Sequence, residues 1–275
     1  MSALSVQPVV DTHVHVWPYG LVHGGQLRHE SLHATPADLI ETIDASGVSM
    51  ALMTPASVHP DNGYVLGSAA TAPTRLRAVI GVNPRASNAL DEVREGAASG
   101  AVGVRIPPGA LPIESRGELA ALAAVADVAT DLGLAIQWTA PLDLTRPIES
   151  IAAHRPDAVQ VLDHLGLPED PTQLSSLDRI RQLARIPALH VKVSGMYALS
   201  HESFPYRDTW NWIEGVVDAF GPSRSMWASD WPLSAESADH ALLRRMVDEL
   251  PFLNSTARVS ILSTTASRVW RIEWT

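Results

Sequence analysis

Pro8-Val9-Val10-Asp11-Thr12-His13-Val14-His15 is a short β-branched run that turns polar at its end. Apolar, β-branched residues bounded by Pro read as a buried strand, and the run is too short for an amphipathic helix. Working outward from residues 8–13, seven runs of the same kind follow, at 49–54, 76–82, 101–106, 134–139, 158–163, 189–193 and 225–229. The intervals between them carry helical signals. Thr35-Pro36-Ala37-Asp38 offers an N-cap, a Pro at the first helical position and an acid near the third, and Gly47 ends that helix. The stretch 118–132 is Ala/Leu-rich and stops at Gly133, and 174–185, 209–220 and 237–250 read as three more helices. Strands alternating with helices pair in parallel. Eight such units in 275 residues imply a closed (β/α)8 TIM barrel. An open, doubly wound sheet is the alternative, but no Gly-x-Gly-x-x-Gly follows the first strand. Residues 1–275 therefore read as a single α/β domain, with 254–275 as a C-terminal helical extension packed outside the barrel.

Composition narrows the chemistry. The chain has no cysteine and 11 histidines. That excludes disulfides, thiolate metal sites and a cysteine nucleophile, so any metal must be held by His and carboxylate. Lys plus Arg total 20 against 30 acids, a net charge of −10, which argues against nucleic acid or an anionic membrane as partner. No apolar run reaches the ~18 residues of a membrane span and the N-terminus lacks a signal-peptide pattern, so a cytoplasmic protein is expected.

The strand ends are unusually polar. Alternation puts Asp11, His13 and His15 on one face of the first strand, which should point inward. Arg105 ends strand four, Gln137 and Thr139 belong to strand five, Asp163-His164 end strand six, Lys192 and Ser194 lie on strand seven, and Ser229-Asp230-Trp231 end strand eight. The C-terminal strand ends of such a barrel carry its active site, so these groups converge on one place. Asp11 reads as a structural hydrogen-bond acceptor. His154, His201 and His240 read as solvated helix or loop residues.

Four stretches together resemble a known family. They are Asp11-Thr12-His13-Val14-His15-Val16-Trp17, Val161-Leu162-Asp163-His164-Leu165-Gly166, His190-Val191-Lys192-Val193-Ser194-Gly195-Met196-Tyr197 and Trp227-Ala228-Ser229-Asp230-Trp231-Pro232. In order and at barrel spacing they resemble the amidohydrolase superfamily, in its amidohydrolase-related branch of pyrone-dicarboxylate and sugar-acid lactonases. The resemblance runs over the whole chain and includes Pro60-Asp61-Asn62 and Gly103-Val104-Arg105. It implies a hydrolase that opens a lactone of a small organic or sugar acid. It also implies Asp230 as general base for the attacking water, with His13, His15 and His164 around the carbonyl and its oxyanion. Arg105, Gln137, Lys192, Tyr197, Trp17, Asn62 and Trp231 are the expected substrate contacts, with Trp138, Trp210 and Trp212 available to line an apolar pocket. Trp231 is expected to desolvate Asp230 and strengthen it as a base.

Departures from the family pattern bear on cofactor and substrate. Metal-dependent members carry a further His at the end of strand five, where this chain has Gln137-Trp138-Thr139. Many carry Lys or Glu on strand four, where this chain has Arg105. The expectation is therefore a site without metal. One Zn²⁺ or Mn²⁺ held by His13, His15 and Asp230 is the alternative. Leu167 stands where the dicarboxylate lactonases place an arginine, which favours a mono-acid or neutral lactone. Rival readings are a metal-dependent decarboxylase or amide (C–N) hydrolase of the same superfamily, and a non-catalytic ligand-binding barrel.

Overall fold

The structure is a computed structural model that describes residues 7–20, 22–23, 26–27, 34–57 and 59–274. One sheet holds eight strands: β1 (Val10–Val14), β2 (Met50–Met53), β3 (Leu76–Gly81), β4 (Ala101–Ile106), β5 (Ala135–Trp138), β6 (Gln160–Leu162), β7 (Leu189–Val193) and β8 (Ser225–Trp227). Their spatial order is their sequence order, and every ladder between neighbours is parallel. The return from β8 to β1 is made differently. A single bridge joins Val14 to Trp231, supported by His15 N–H to Trp231 O at 2.7 Å and Asp230 N–H to His13 O at 2.9 Å. The Thr12 hydroxyl donates to the Trp227 carbonyl at 2.8 Å along the same seam. The alternation read in the sequence thus closes as a (β/α)8 barrel.

The helices are α1 (Pro36–Ala45), α2 (Asn62–Thr71), α3 (Ala89–Ala98), α4 (Arg116–Asp131), α5 (Arg146–His154), α6 (Leu177–Leu183), α7 (Trp210–Phe220) and α8 (His240–Glu249). α1 begins where the sequence signals it, with a reciprocal capping box between Thr35 and Asp38. α4 has the same device in Ser115 and Glu118. The sequence reading did not mark α2, α3 and α5. α2 shows why: Gly63 and Gly67 lower its helix propensity, and tertiary contacts hold it. Val65 is buried, and the Asn62 amide bonds both the N–H and the carbonyl of Gly81 on β3. Between β1 and α1, Val22–His23 pairs antiparallel with Gln26–Leu27, and the rest of 21–33 lies outside the described residues. No helix of the described residues is long and apolar enough to cross a membrane.

Strand alternation sorts the core into two layers. Ala51, Met53, Ala78, Ile80, Val104, Ile136, Leu162 and Val191 pack outward with Leu39, Ile43, Val93 and Val125 of the helices. Val10, Met50, Leu52, Val79, Ala135, Val161 and Met226 form a separate cluster inside the barrel. The C-terminal segment completes that inner cluster. Ser255–Val259 and Thr265–Val269 are helical, joined by a π-helical stretch, and they deliver Val269, Trp270 and Ile272 to the barrel floor. Trp270 lies so close to β4 that a Cβ on Gly103 would sit 2.8 Å from its ring. The extension is helical as expected, but it closes the floor instead of packing outside. A barrel needs its interior filled, and the small Gly103 and Ala135 leave room for one indole.

Candidate active site

Above the floor the inward positions turn polar. The first element to settle is β1, whose alternation is broken. Its register against β2 slips between Asp11 and Val14, so one extra residue lies on the β1 side. Asp11 therefore does not share the inward face with His13 and His15. Its carboxylate accepts from His13 N–H at 3.2 Å, Ser229 N–H at 2.9 Å and the His240 ring at 2.9 Å. Asp11 is structural, as read. His240 is not the solvated residue expected: it is 5% exposed and holds Asp11 on one side and the Ser46 hydroxyl, at 2.6 Å, on the other. His154 and His201 are exposed as expected.

His13, His15, His164 and Asp230 do come together. His15 Nε2 lies 3.2 Å and His13 Nε2 3.7 Å from Asp230 Oδ1, and His164 Nε2 lies 4.0 Å from Asp230 Oδ2. All four side chains are nearly fully buried. The backbone supports this at a cost. Asp230 and His164 both have positive φ, 63° and 52°, which for non-glycine residues stores roughly 1–3 kcal/mol each. Gly195 lets His164 fit, since a Cβ there would sit 3.0 Å from the His164 Cβ.

Each imidazole is oriented by its other nitrogen. The Thr54 carbonyl can only accept, so at 2.7 Å it fixes the proton on His15 Nδ1. The neutral His15 tautomer then turns its Nε2 lone pair toward the Asp230 carboxylate, and a proton or a cation must lie between them. His13 Nδ1 faces Asp163 Oδ1 at 3.4 Å, which leaves Nε2 aimed at the centre without a partner. Asp230 Oδ1 is likewise unpartnered. His164 Nδ1 meets the Ser194 hydroxyl at 2.9 Å. Oriented imidazoles and two unsatisfied buried atoms are the donor chemistry of a single-cation site. The ligand atoms of His13, His15 and Asp230 all lie within 4.8 Å of one another. A second group, His13, Asp163 and His164, also lies within that span, but the Lys192 ammonium already stands there. A second cation would be repelled.

Asp163 is the residue that the sequence reading placed among the converging strand ends without giving it a role. Its oxygens take Lys192 Nζ at 3.1 Å, the Thr139 hydroxyl at 2.6 Å and the Gln137 amide at 3.0 Å. The signal was available: Asp163 shares the inward parity of Val161 and adjoins His164. Lys192 is fully buried and holds Asp163 and His13 Nδ1, the latter at 3.3 Å. Arg105 donates to Thr139 Oγ1 at 2.8 Å and the Pro55 carbonyl at 2.6 Å. Neither partner is charged, and the guanidinium lines a cavity of about 240 Å³ with Asn62, Asn83 and Ser57. Tyr197 donates its hydroxyl to Asp230 Oδ2 at 2.7 Å. The amide of Asn62 is occupied by Gly81, Trp17 is buried, and Trp231 is 6% exposed beside the seam. Trp138 and Trp212 do not line a pocket: both are wholly buried in the outer core, bonded to Gln160 and to the Leu165 carbonyl. Trp210 is half-buried under the Arg207 guanidinium and bonds the Pro205 carbonyl.

Protonation follows from burial and neighbours. Burial, helped by Lys192, holds His13 well below the ordinary histidine range, and burial lowers His164 too. Burial, the largest single influence, would raise Asp163, but Lys192, His13 and His164 together outweigh it and keep the carboxyl low. The same competition corrects the expectation for Asp230. Burial does push it up, yet His164, His15 and His13 outweigh that and hold it below the usual carboxylate range. Burial and Asp230 raise the Tyr197 hydroxyl, which stays protonated as a donor. The centre is thus an ionised carboxylate ringed by imidazole nitrogens and one phenol.

A family model described as amidohydrolase matches residues 10–272. A 4-sulfomuconolactone hydrolase from Rhizobium radiobacter is 30% identical over 100 residues, 36% of this chain and 32% of that protein. The match thus spans about a third of that relative's length. A D-galactarolactone isomerase from Agrobacterium fabrum is 26% identical over 236 residues, 81% of this chain and 76% of that protein. The fold is also that of an amidohydrolase from Burkholderia multivorans solved with bound zinc, at a TM-score of 0.78 and 19% identity over 97% of this chain and 100% of the other.

Proposed function

The chain belongs to the amidohydrolase family, and from that premise we propose that it hydrolyses the lactone of a small organic or sugar acid at the mouth of the barrel. The observation that carries this reading is the unpartnered Asp230 Oδ1, facing His13 Nε2 and His15 Nε2 in a buried centre.

Asp230 Oδ1 accepts a hydrogen bond from water and takes its proton as the water oxygen attacks the lactone carbonyl carbon. A carboxylate held low is a weak base, so its main contribution is to orient the nucleophile in place, with the proton passing on as the tetrahedral oxyanion forms. His164 and His13, with Nδ1 accepting from Ser194 and Lys192 and the proton on Nε2, offset that developing negative charge, while His15 presents a lone pair there. Collapse breaks the ring C–O bond, and the departing alkoxide recovers a proton. The product carboxylic acid ionises, so each turnover releases one proton at neutral pH. Tyr197 holds Asp230 Oδ2 and leaves Oδ1 to the water. Lys192 and Asp163 keep His13 turned toward the substrate. Arg105, with N–H groups to spare beside its cavity, would hold an anionic or hydroxylated arm of the substrate. A single Zn²⁺ or Mn²⁺, when bound, would be held by His13, His15 and Asp230 and would polarise the carbonyl as a Lewis acid.

The test is a panel of sugar-acid and muconate-type lactones, assayed for acid release with and without added Zn²⁺ or Mn²⁺ and after chelation. Asp230→Asn should lower kcat about 10²–10⁴-fold. Near-intact turnover in that variant overturns the assignment. The isomerase relative favours a second reading, ring migration between two hydroxyls of one lactone. That reaction consumes lactone without releasing a proton, so a pH-stat run beside product chromatography separates the two.

A further inference from the structure

The β1–β8 seam lacks a regular ladder, yet it carries His13 and His15 on one side and Asp230 on the other. Three contacts fix the short turn that presents Asp230. Ser229 N–H donates to Asp11 Oδ1 at 2.9 Å, Asp230 N–H to the His13 carbonyl at 2.9 Å, and Trp231 N–H to Ser229 Oγ at 3.0 Å. Asp11 Oδ1 also takes the His13 N–H at 3.2 Å, so one carboxylate oxygen ties the two catalytic segments together. What holds that carboxylate is His240. Its Nε2 lies 2.9 Å from Asp11 Oδ2, and its Nδ1 lies 2.6 Å from Ser46 Oγ at the C-terminal cap of α1. The ring also packs edge-on against Trp227 of β8, 5.7 Å between centroids.

We propose that His240 is a positioning residue for the reaction: through Asp11 it sets the relative placement of His13 and Asp230 across the seam. His240 touches none of the four central side chains and opens instead on an outer cleft of about 610 Å³ between α1 and α8. Its polar reach to the site is through Asp11. A carboxylate buried at 0% exposure keeps its orientation only while its acceptor sites are filled. Remove the ring donor and Oδ2 has no partner. The carboxylate then rotates, and the two N–H groups it aligns lose their common acceptor. The left-handed backbone of Asp230 depends on those contacts. A shift near 1 Å between base and carbonyl costs about 10²-fold in rate.

This inference rests on the hydrolase reading, so its test has one arm that needs no activity. His240→Met fills the space without a donor. His240→Gln places an amide N–H where Nε2 was. In the first arm, amide hydrogen exchange is followed at His13 and Ser229. Met should speed exchange at both positions and Gln should restore protection. In the second arm, Met should lower kcat about 10–100-fold with KM nearly unchanged, and Gln should recover most of it. If the wild type opens no lactone, the function reading fails while the exchange arm still decides the positioning. A folded Met variant with wild-type exchange and kcat overturns the proposal. So does a Gln variant as impaired as Met, which would make the role one of packing alone.

Discussion

Below Lys192 the barrel interior is Val10, Met50, Leu52, Val79, Val161, Met226 and Trp270; above it the same strands carry His13, Thr54, Arg105, Gln137, Asp163 and Asp230. One step of two residues separates the layers at Leu52 and Thr54, Ala135 and Gln137, and Val161 and Asp163, and the register slip in β1 makes it three from Val10 to His13. Among the described residues the floor has one unpartnered polar atom, Trp270 Nε1, whereas the mouth has three, on His13, Gln137 and Asp230. A buried polar atom left without a partner costs about 1–3 kcal/mol. The two regions therefore divide the work: the floor supplies packing stability, and the mouth carries polar groups whose unmet demand a substrate, water or cation satisfies. Lys192 marks the boundary, with its Nζ 5.7 Å from the centre of the Trp270 ring.

Changes at each layer should give opposite signatures, and the Asp230→Asn loss of rate above is the largest on the mouth side. On the floor side, Trp270→Ala should cost about 3–5 kcal/mol of unfolding free energy, because the cavity opens in a closed barrel that cannot collapse around it. Urea unfolding measures this, and the molecules that remain folded should still turn over substrate. An unchanged midpoint would show that the indole is not part of the packed core.

His190 should give the next effect. It lies on β7, 7% exposed, with its ring at the Ala188 carbonyl and Arg268 and Arg224 nearby. Burial pushes its pKa down to about 4. The unfolded chain takes up that proton near the ordinary value of about 6.5, so stability falls as the pH drops from about 6.5 to 4. The share is about 3 kcal/mol. His190→Gln should flatten the stability–pH curve in that window, with a residual slope from His13 and His164, which shift in the same direction. Parallel curves for the two proteins would refute it. The smallest effect is expected at Gly103. Gly103→Ala pushes a methyl group to 2.8 Å from Trp270 and 2.9 Å from the Ala135 carbonyl, an overpacking that costs about 1–3 kcal/mol and should show as a lowered Tm.

Much of this was legible in the sequence, and what was not has physical causes. All eight strands were readable because most are short apolar, often β-branched runs with a Gly, Pro or Asn boundary, and those that are not, such as 225–229, fall at the spacing the others set. The central His13, His15, His164 and Asp230 were readable because polar side chains at strand ends have few other uses. The outward turn of Asp11 was not, because a one-residue register slip leaves no mark in composition. His240 was misread because an amphipathic helix shows which residues face inward only once its neighbours are known. The floor was misread because the partner of Trp270 is a gap: Gly103 and Ala135 signal space only in the folded barrel. Asp230 was legible as a group but not in its charge balance, which depends on three imidazoles from two distant strands.

Trp270 also sets an order of events during synthesis. The indole that fills the floor is encoded 167 positions after Gly103, the residue it packs against. At roughly 5–20 residues per second, the strands wait about 8 to 33 seconds on the ribosome between the emergence of the socket and the arrival of the plug. Until residue 270 has left the exit tunnel, the barrel interior is open to water at its base, and nascent chains stalled or cleaved upstream of it carry an exposed apolar floor that chaperones and proteases can recognise.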